Sequence, residues 1–235
     1  MTGTVCLQGG GEFSAGCREM DAGLLAASDG PVVVTALAGE VGRDYATATA
    51  NGVRHYRELG GPEVLGAPDV REDPEGALRA LRAARLIVLP GGSPSRLLAA
   101  LTATPVGQVI ADLLAAGGTV MGASAGAMVL CAWTVLPDRP GGLTLARGLG
   151  LVGAGPVGDL LVLPHWSGPA GRQAWLDQVP AGTTVLGLPE ESGVVVHAGV
   201  LTAVGRSAST VMTTAASTGT TDSRDLAPGQ TWEHP

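Results

Sequence analysis

Ser124 is the residue whose surroundings point most directly to chemistry. It stands in Gly122-Ala123-Ser124-Ala125-Gly126, after an apolar, β-leaning run over 119–121 and before a helix-forming run over 125–134. A serine held on a sharp strand-to-helix turn presents its hydroxyl as a nucleophile for acyl transfer. Small neighbours suit that turn because backbone comes close to backbone. The pentapeptide alone is a weak signal, since a chain with 37 glycines meets Gly-x-Ser-x-Gly by chance roughly 0.3 times. The bland alternative is a tight turn in which Ser124 only caps the helix by accepting a backbone N–H.

A serine nucleophile needs a base, and open α/β sheets gather their sites at the carboxyl ends of strands. His165 stands just beyond the apolar run 160–163, at such an end. His197 closes a short strand and is the serious rival. His55 lies among Arg54, Arg57 and Glu58 on a charged amphipathic helix and reads as solvated, and His234 is in the tail. A histidine base needs a carboxylate to fix its tautomer. Glu190 and Glu191 follow the strand over 184–188, and which of the two turns inward stays open. Pairing Glu190 with His197 instead gives the chain order of α/β-hydrolases and an esterase, but the two residues lie on consecutive short strands, closer than that fold spaces them. The oxyanion hole needs two fixed N–H donors. Ala125 supplies one, and the Gly91-Gly92 turn is placed to supply the other. Cys131, seven residues beyond Ser124, reads as core.

Composition narrows the chemistry. Every one of the 14 basic residues is arginine. Without lysine there is no Ser–Lys dyad, no Schiff base and no P-loop lysine. The base for Ser124 is therefore a histidine or a carboxylate. A net charge of −7 with scattered arginines argues against nucleic-acid binding. No apolar run is long enough to span a bilayer, and the N-terminus reads as a first strand, not a signal peptide. Three cysteines without a CxxC suggest reduced thiols and a cytoplasmic protein. The four histidines are too scattered for a metal site, and no cofactor is expected.

The elements that must hold these residues alternate. Strands are expected over 4–7, 32–36, 63–65, 85–90 and 119–121, with helices over 15–27, 45–59, 74–84, 95–101, 105–115 and 125–134. After residue 136 the chain turns rich in glycine and proline, and short strands follow over 160–163, 184–188, 194–197 and 200–204. Alternation predicts a doubly wound, mostly parallel α/β sheet with helices on both faces. The later strands predict an antiparallel extension near the C-terminus. One hydrolytic domain is expected over 1–215, and a poorly ordered tail over 216–235. Gly148-Leu149-Gly150-Leu151-Val152-Gly153 matches GxGxxG, but no helix can open after it, so it reads as backbone and not as a nucleotide site. Gly9-Gly10-Gly11 reads as a roomy turn.

In order along the chain, 7–12 (Leu-Gln-Gly-Gly-Gly-Glu), 89–98 (Leu-Pro-Gly-Gly-Ser-Pro-Ser-Arg-Leu-Leu), 122–127, 148–151, His165 and 187–190 (Gly-Leu-Pro-Glu) resemble the peptidase E and cyanophycinase family of serine peptidases. The resemblance implies a class I glutamine amidotransferase-like fold, with Ser124 as nucleophile, His165 as base, Glu190 as orienter, and Gly92 with Ala125 as oxyanion donors. It implies cleavage of a small peptide or isopeptide bond next to aspartate. Gly91, Arg96 and Trp166 are the substrate-side candidates; Arg96 can bind a carboxylate bidentately, or be a surface arginine. The chain departs from cyanophycinase-like sequences around the histidine. Pro164 precedes it, Ser167-Gly168-Pro169-Ala170-Gly171 follows Trp166, and Arg172 alone remains of an arginine-rich helix. Those departures motivate an alternative, a non-catalytic domain that binds a ligand or partner, in which Ser124 and His165 stand out of contact. A small peptide is the expected partner, without nucleic acid or membrane, and a homodimer is left open.

Overall fold

The computed structural model describes residues 3–138, 142–152, 158–170, 176, 178–214 and 221–233. Five strands form a parallel core: β1 (Thr4–Gln8), β2 (Val32–Val34), β3 (Val64–Gly66), β4 (Leu86–Leu89) and β5 (Thr119–Ala123), in the spatial order β1-β5-β4-β2-β3. β1, β2, β4 and β5 are apolar through their centres because they are buried on both faces, whereas the edge strand β3 is exposed at Leu65 and Gly66. Alternate side chains feed two cores. Cys6, Val32, Val34, Leu86, Val88 and Met121 face the helix α1 (Arg18–Ala26) and Tyr56 of α2 (Arg43–Glu58). Val5, Leu7, Val33, Ile87, Leu89 and Val120 face α3 (Pro74–Ala83), α4 (Pro94–Ala103), α5 (Val106–Ala115) and α6 (Ala125–Leu130). This is the doubly wound sheet that the alternation predicts.

The helix begun after Ser124 ends at Leu130, shorter than its expected reach to residue 134. Trp133–Asp138 is instead a strand, β6, paired with β7 (Gly142–Arg147). The cause lies outside the run itself: the amides of Gly148, Leu149 and Leu151 bond the carbonyls of Ala132, Val129 and Leu130. Those bonds fix the helix end where propensity would have continued it.

β6 and β7 belong to a second sheet with β8 (Leu160–Leu163), β9 (Thr184–Gly187), β12 (Ser209–Thr214) and β13 (Thr221–Leu226). One of its faces joins the core around α6, through Leu160, Val162, Leu186 and Val211. The other forms a core of its own with Leu161, Leu163, Val185 and Met212. β10 (Ser192–His197) and β11 (Val200–Gly205) extend the first sheet antiparallel beyond β1 as predicted, and β14 (Thr231–Trp232) adds to them; the other two strands of the predicted extension are instead β8 and β9, which pair parallel in the second sheet. β13 and β14 lie within 216–235, the stretch expected to be a poorly ordered tail. β13 (Thr-Asp-Ser-Arg-Asp-Leu) is an edge strand whose polar residues suit solvent, so its composition alone reads as disorder. It is paired along its length with β12, and Leu226 is fully buried.

Candidate active site

Four strand ends meet at one edge of the molecule. β1, β4 and β5 are parallel and in register, so Gln8, Leu89 and Ala123 finish together, followed by Gly9, by Pro90-Gly91, and by Ser124. β8 of the second sheet finishes just before His165. The chain then crosses between sheets from the end of β9 to the start of β10, and Glu190 and Glu191 sit on that crossing. Backbone bonds hold these strand ends together, and the first of them joins the two sheets. The His165 amide donates to Gly9 at 2.8 Å, Trp166 to Leu188 at 3.0 Å, Glu191 to Gly10 at 2.8 Å, and Gly9 to Ser192 at 2.9 Å.

Ser124 adopts φ 47° and ψ −106°, a conformation that few non-glycine residues adopt and that the surroundings must impose. They do so through tight packing. A Cβ on Gly122 would lie 2.6 Å from the Gly126 carbonyl carbon, and one on Gly126 would run into Leu89 O. The Ser124 side chain makes no capping bond to α6, which removes the bland alternative. Its Oγ instead lies 3.0 Å from His165 Nε2, and His165 Nδ1 lies 2.9 Å from Glu190 Oε1. The tautomer that satisfies all three groups has Nδ1–H donating to Glu190 and Nε2 accepting the serine O–H. His165 itself has φ 51° and rests against Gly10, where any Cβ would collide with the imidazole. Gly9-Gly10-Gly11 is therefore a tight seat for the ring and not a roomy turn. The imidazole is about half exposed.

The adjacent glutamates part company. Glu191, at φ 56°, turns back and accepts from Ser14 Oγ at 2.7 Å and Arg206 Nη1 at 2.9 Å. The Ser14 hydroxyl first, and then Arg206, hold its carboxyl below the ordinary glutamate range. Glu190 is left to face His165. Among the described residues, neither the Gly92 amide nor the Ala125 amide donates to a protein acceptor. Gly92 (φ 136°) has its back to Ala38, and a Cβ on Gly91 would come within 3.3 Å of Ser124 Cβ, so the turn lies over the elbow.

The substrate-side candidates fare differently. The Gly91 amide is taken by Glu12 Oε1 at 2.7 Å, so it is no free donor. Arg96 donates to Ala38 O at 2.8 Å and to Glu40 Oε1 at 3.1 Å, at the exposed rim of the same turn. Trp166 is buried in the second sheet's core, its indole N–H on Thr210 Oγ1 and its ring against Gly187. It packs the scaffold instead of lining an open cleft. Arg172 and His234 lie outside the described residues.

Of the readings of the other histidines, the disfavoured His197 base falls away and the solvated His55 is overturned. His197 bonds Thr4 Oγ1 at 3.0 Å, at the opposite end of β1 from Gln8. A strand of this length separates it from Glu190 by roughly 15–20 Å, which removes the Glu190–His197 esterase. His55, read as solvated, is buried with its Nε2 2.8 Å from Asp21 Oδ2. Its partner is distant in sequence, on α1, so the charged neighbours on α2 misled. Glu12, the last residue of the 7–12 motif but without an expected role, also stands here on the Gly91 amide; its signal is an acid directly after the glycines that follow β1.

A hydroxyl, an imidazole and a carboxylate in line, beside two unengaged N–H groups, can carry out nucleophilic acyl transfer. The 3.0 Å contact between Ser124 and His165 weighs against the non-catalytic alternative, which required them to stand apart. The family model of peptidase family S51 matches residues 37–204. Among solved structures, a peptidase from an acI-B1 Actinobacterium is similar with a TM-score of 0.78 and 23% identity, over 98% of this chain and 96% of that one. A protein described as a peptidase E from Listeria monocytogenes EGD-e is similar with a TM-score of 0.62 and 17% identity, over 87% and 99%. No curated protein matches the chain.

Proposed function

The chain belongs to peptidase family S51, and from that premise we propose a serine peptidase that cleaves a small peptide or isopeptide bond next to aspartate through an acyl-enzyme on Ser124. The observation that carries this reading is the unbroken line of contacts from Ser124 Oγ through His165 to Glu190. As Oγ bonds to the substrate carbonyl carbon, its proton passes to His165 Nε2. The carbonyl electron pair moves onto oxygen, and the amides of Gly92 and Ala125 receive that oxyanion. Glu190 holds the imidazole in the accepting tautomer and stabilises the imidazolium. Collapse of the adduct breaks the C–N bond, and His165 returns its proton to the leaving amine. Water then repeats the sequence on the ester and frees Ser124.

The aspartate preference follows from the resemblance of the sequence motifs to the peptidase E and cyanophycinase family, and it is supported by Arg96 at the rim of the oxyanion turn. Arg96 is held on one side by Glu40, whose side chain is 75% exposed. An exposed pair of that kind is worth about 0–1 kcal/mol, so a substrate carboxylate can take the place of Glu40 at little cost. The test is a panel of an α-aspartyl dipeptide, β-aspartyl-arginine and an alanyl dipeptide, with Arg96→Met alongside the natural chain. The expected result is cleavage of one aspartyl substrate at least tenfold faster in kcat/KM than the alanyl control, with KM raised in Arg96→Met. Equal cleavage of aspartyl and alanyl substrates contradicts the preference.

A further inference from the structure

The Gly91-Gly92 turn cannot hold itself. Neither residue has a side chain, so the peptide between them can rotate and offer its carbonyl, not the Gly92 N–H, to the reacting oxygen. A rotated peptide would remove a donor and set a negative dipole against the oxyanion. The restraint must come from outside the turn, and two contacts supply it. Behind, Ala38 O accepts the Ser93 amide at 3.1 Å and stands 2.9 Å from where a Gly92 Cβ would be. In front, Glu12 Oε1 accepts the Gly91 amide at 2.7 Å.

Glu12 is itself anchored by its neighbours. Phe13 has φ 65°, and its ring lies 5.4 Å from the ring of His55 and 6.4 Å from that of Tyr56. Ser14 is bonded to Glu191. The spot a Gly91 side chain would fill lies 2.8 Å from Glu12 Oε1 and 3.3 Å from Ser124 Cβ. The carboxylate and the nucleophile therefore flank the same small volume.

We propose that Glu12 is a positioning residue that fixes the oxyanion turn through the Gly91 amide, so that the Gly92 amide faces the carbonyl oxygen under attack. The inference rests on the acyl-enzyme reading of Ser124. The role is one of reach and not of charge. A negative charge beside a developing oxyanion opposes it, whereas an amide oxygen at the same position can accept the same N–H without that penalty.

The test is steady-state hydrolysis of p-nitrophenyl acetate by the full chain, with melting midpoints measured on every variant. Glu12→Ala and Glu12→Asp, whose carboxylate is one methylene short, should each lower kcat about 10–100-fold with KM within about threefold, since one oxyanion donor is commonly worth 10²–10³. Glu12→Gln should stay within about threefold of the natural chain. The proposal is overturned if Glu12→Ala or Glu12→Asp retains full kcat, if Glu12→Gln is as impaired as Glu12→Ala, or if the loss appears in KM alone. Ser124→Ala separates the two readings. If it is inactive while Glu12→Ala is fully active, only the role of Glu12 falls; if it hydrolyses the ester as fast as the natural chain, the acyl-enzyme falls and this inference with it.

Discussion

Two histidine–carboxylate pairs of nearly the same length lie in this molecule, His165–Glu190 at 2.9 Å and His55–Asp21 at 2.8 Å. The first stands at the meeting of four strand ends, with both side chains at least half exposed. The second is enclosed between α1 and α2, with Asp21 also near the Tyr56 hydroxyl at 3.4 Å and Phe13 over the imidazole. The bond lengths do not distinguish them; the surroundings do. His165 offers its second nitrogen to a hydroxyl on a strained elbow beside two unengaged amides. Among the described residues His55 has no such neighbour, and it ties α1 and α2 together beneath the loop that carries Glu12. On the proposed reading, one pair moves a proton and the other holds the frame still.

The separation of those roles can be tested by removing each part in turn. The largest effect is expected at the exposed pair: Ser124→Ala or His165→Ala should lower kcat by about 10⁴-fold or more, with the melting midpoint within about 2 °C of the natural chain. A comparable loss of stability in either variant would mean that the exposed pair also holds the frame. Glu190→Gln should lower kcat about 10²-fold, less than a fully buried orienting acid would, because Glu190 is 64% exposed and water can substitute for part of its role. At the enclosed pair the sign of the comparison reverses. Asp21→Ala leaves a buried imidazole unpaired and should cost about 3 kcal/mol of unfolding free energy, while kcat per folded molecule changes less than about threefold. Denaturant melts with active-site titration check both halves. Glu191 gives the smallest effect. Its carboxyl is held below the ordinary glutamate range by Ser14 and Arg206. Its contribution is therefore fully present above that range and is lost as pH falls through the lowered value. Glu191→Gln should lower the melting midpoint near neutral pH and narrow its difference from the natural chain toward pH 3, and a gap that widens in acid would contradict the assignment.

Where the sequence was informative, local physics carried the signal. The central parallel strands β2 and β4 are buried on both faces, so each appears as an unbroken apolar run. The elbow shows as small residues around Ser124 because no larger side chain fits between Gly122, Gly126 and Leu89. The placing of His165 and of the Glu190-Glu191 pair at strand ends was legible because such ends converge in an open sheet, while which glutamate faces His165 was not. Long-range pairing decided what was not legible. Nothing near residue 55 reveals that Asp21, 34 residues away, buries the ring. The polar strand Thr221–Leu226 exists only because β12 offers it an edge. Trp166, read beside the substrate because it follows His165, is drawn into a second sheet that alternation alone did not predict. Glu12 could be quoted in a motif but given no role, because its contact is a bond to a backbone amide 79 residues on.

The central claim is that Ser124 is the nucleophile that His165 activates. Intact-mass measurement after exposure to a fluorophosphonate tests it most directly, on the natural chain and on Ser124→Ala. The account predicts a single adduct on the natural chain, mapping to the peptide that contains Ser124, and none on the variant. Equal labelling of both proteins would contradict it.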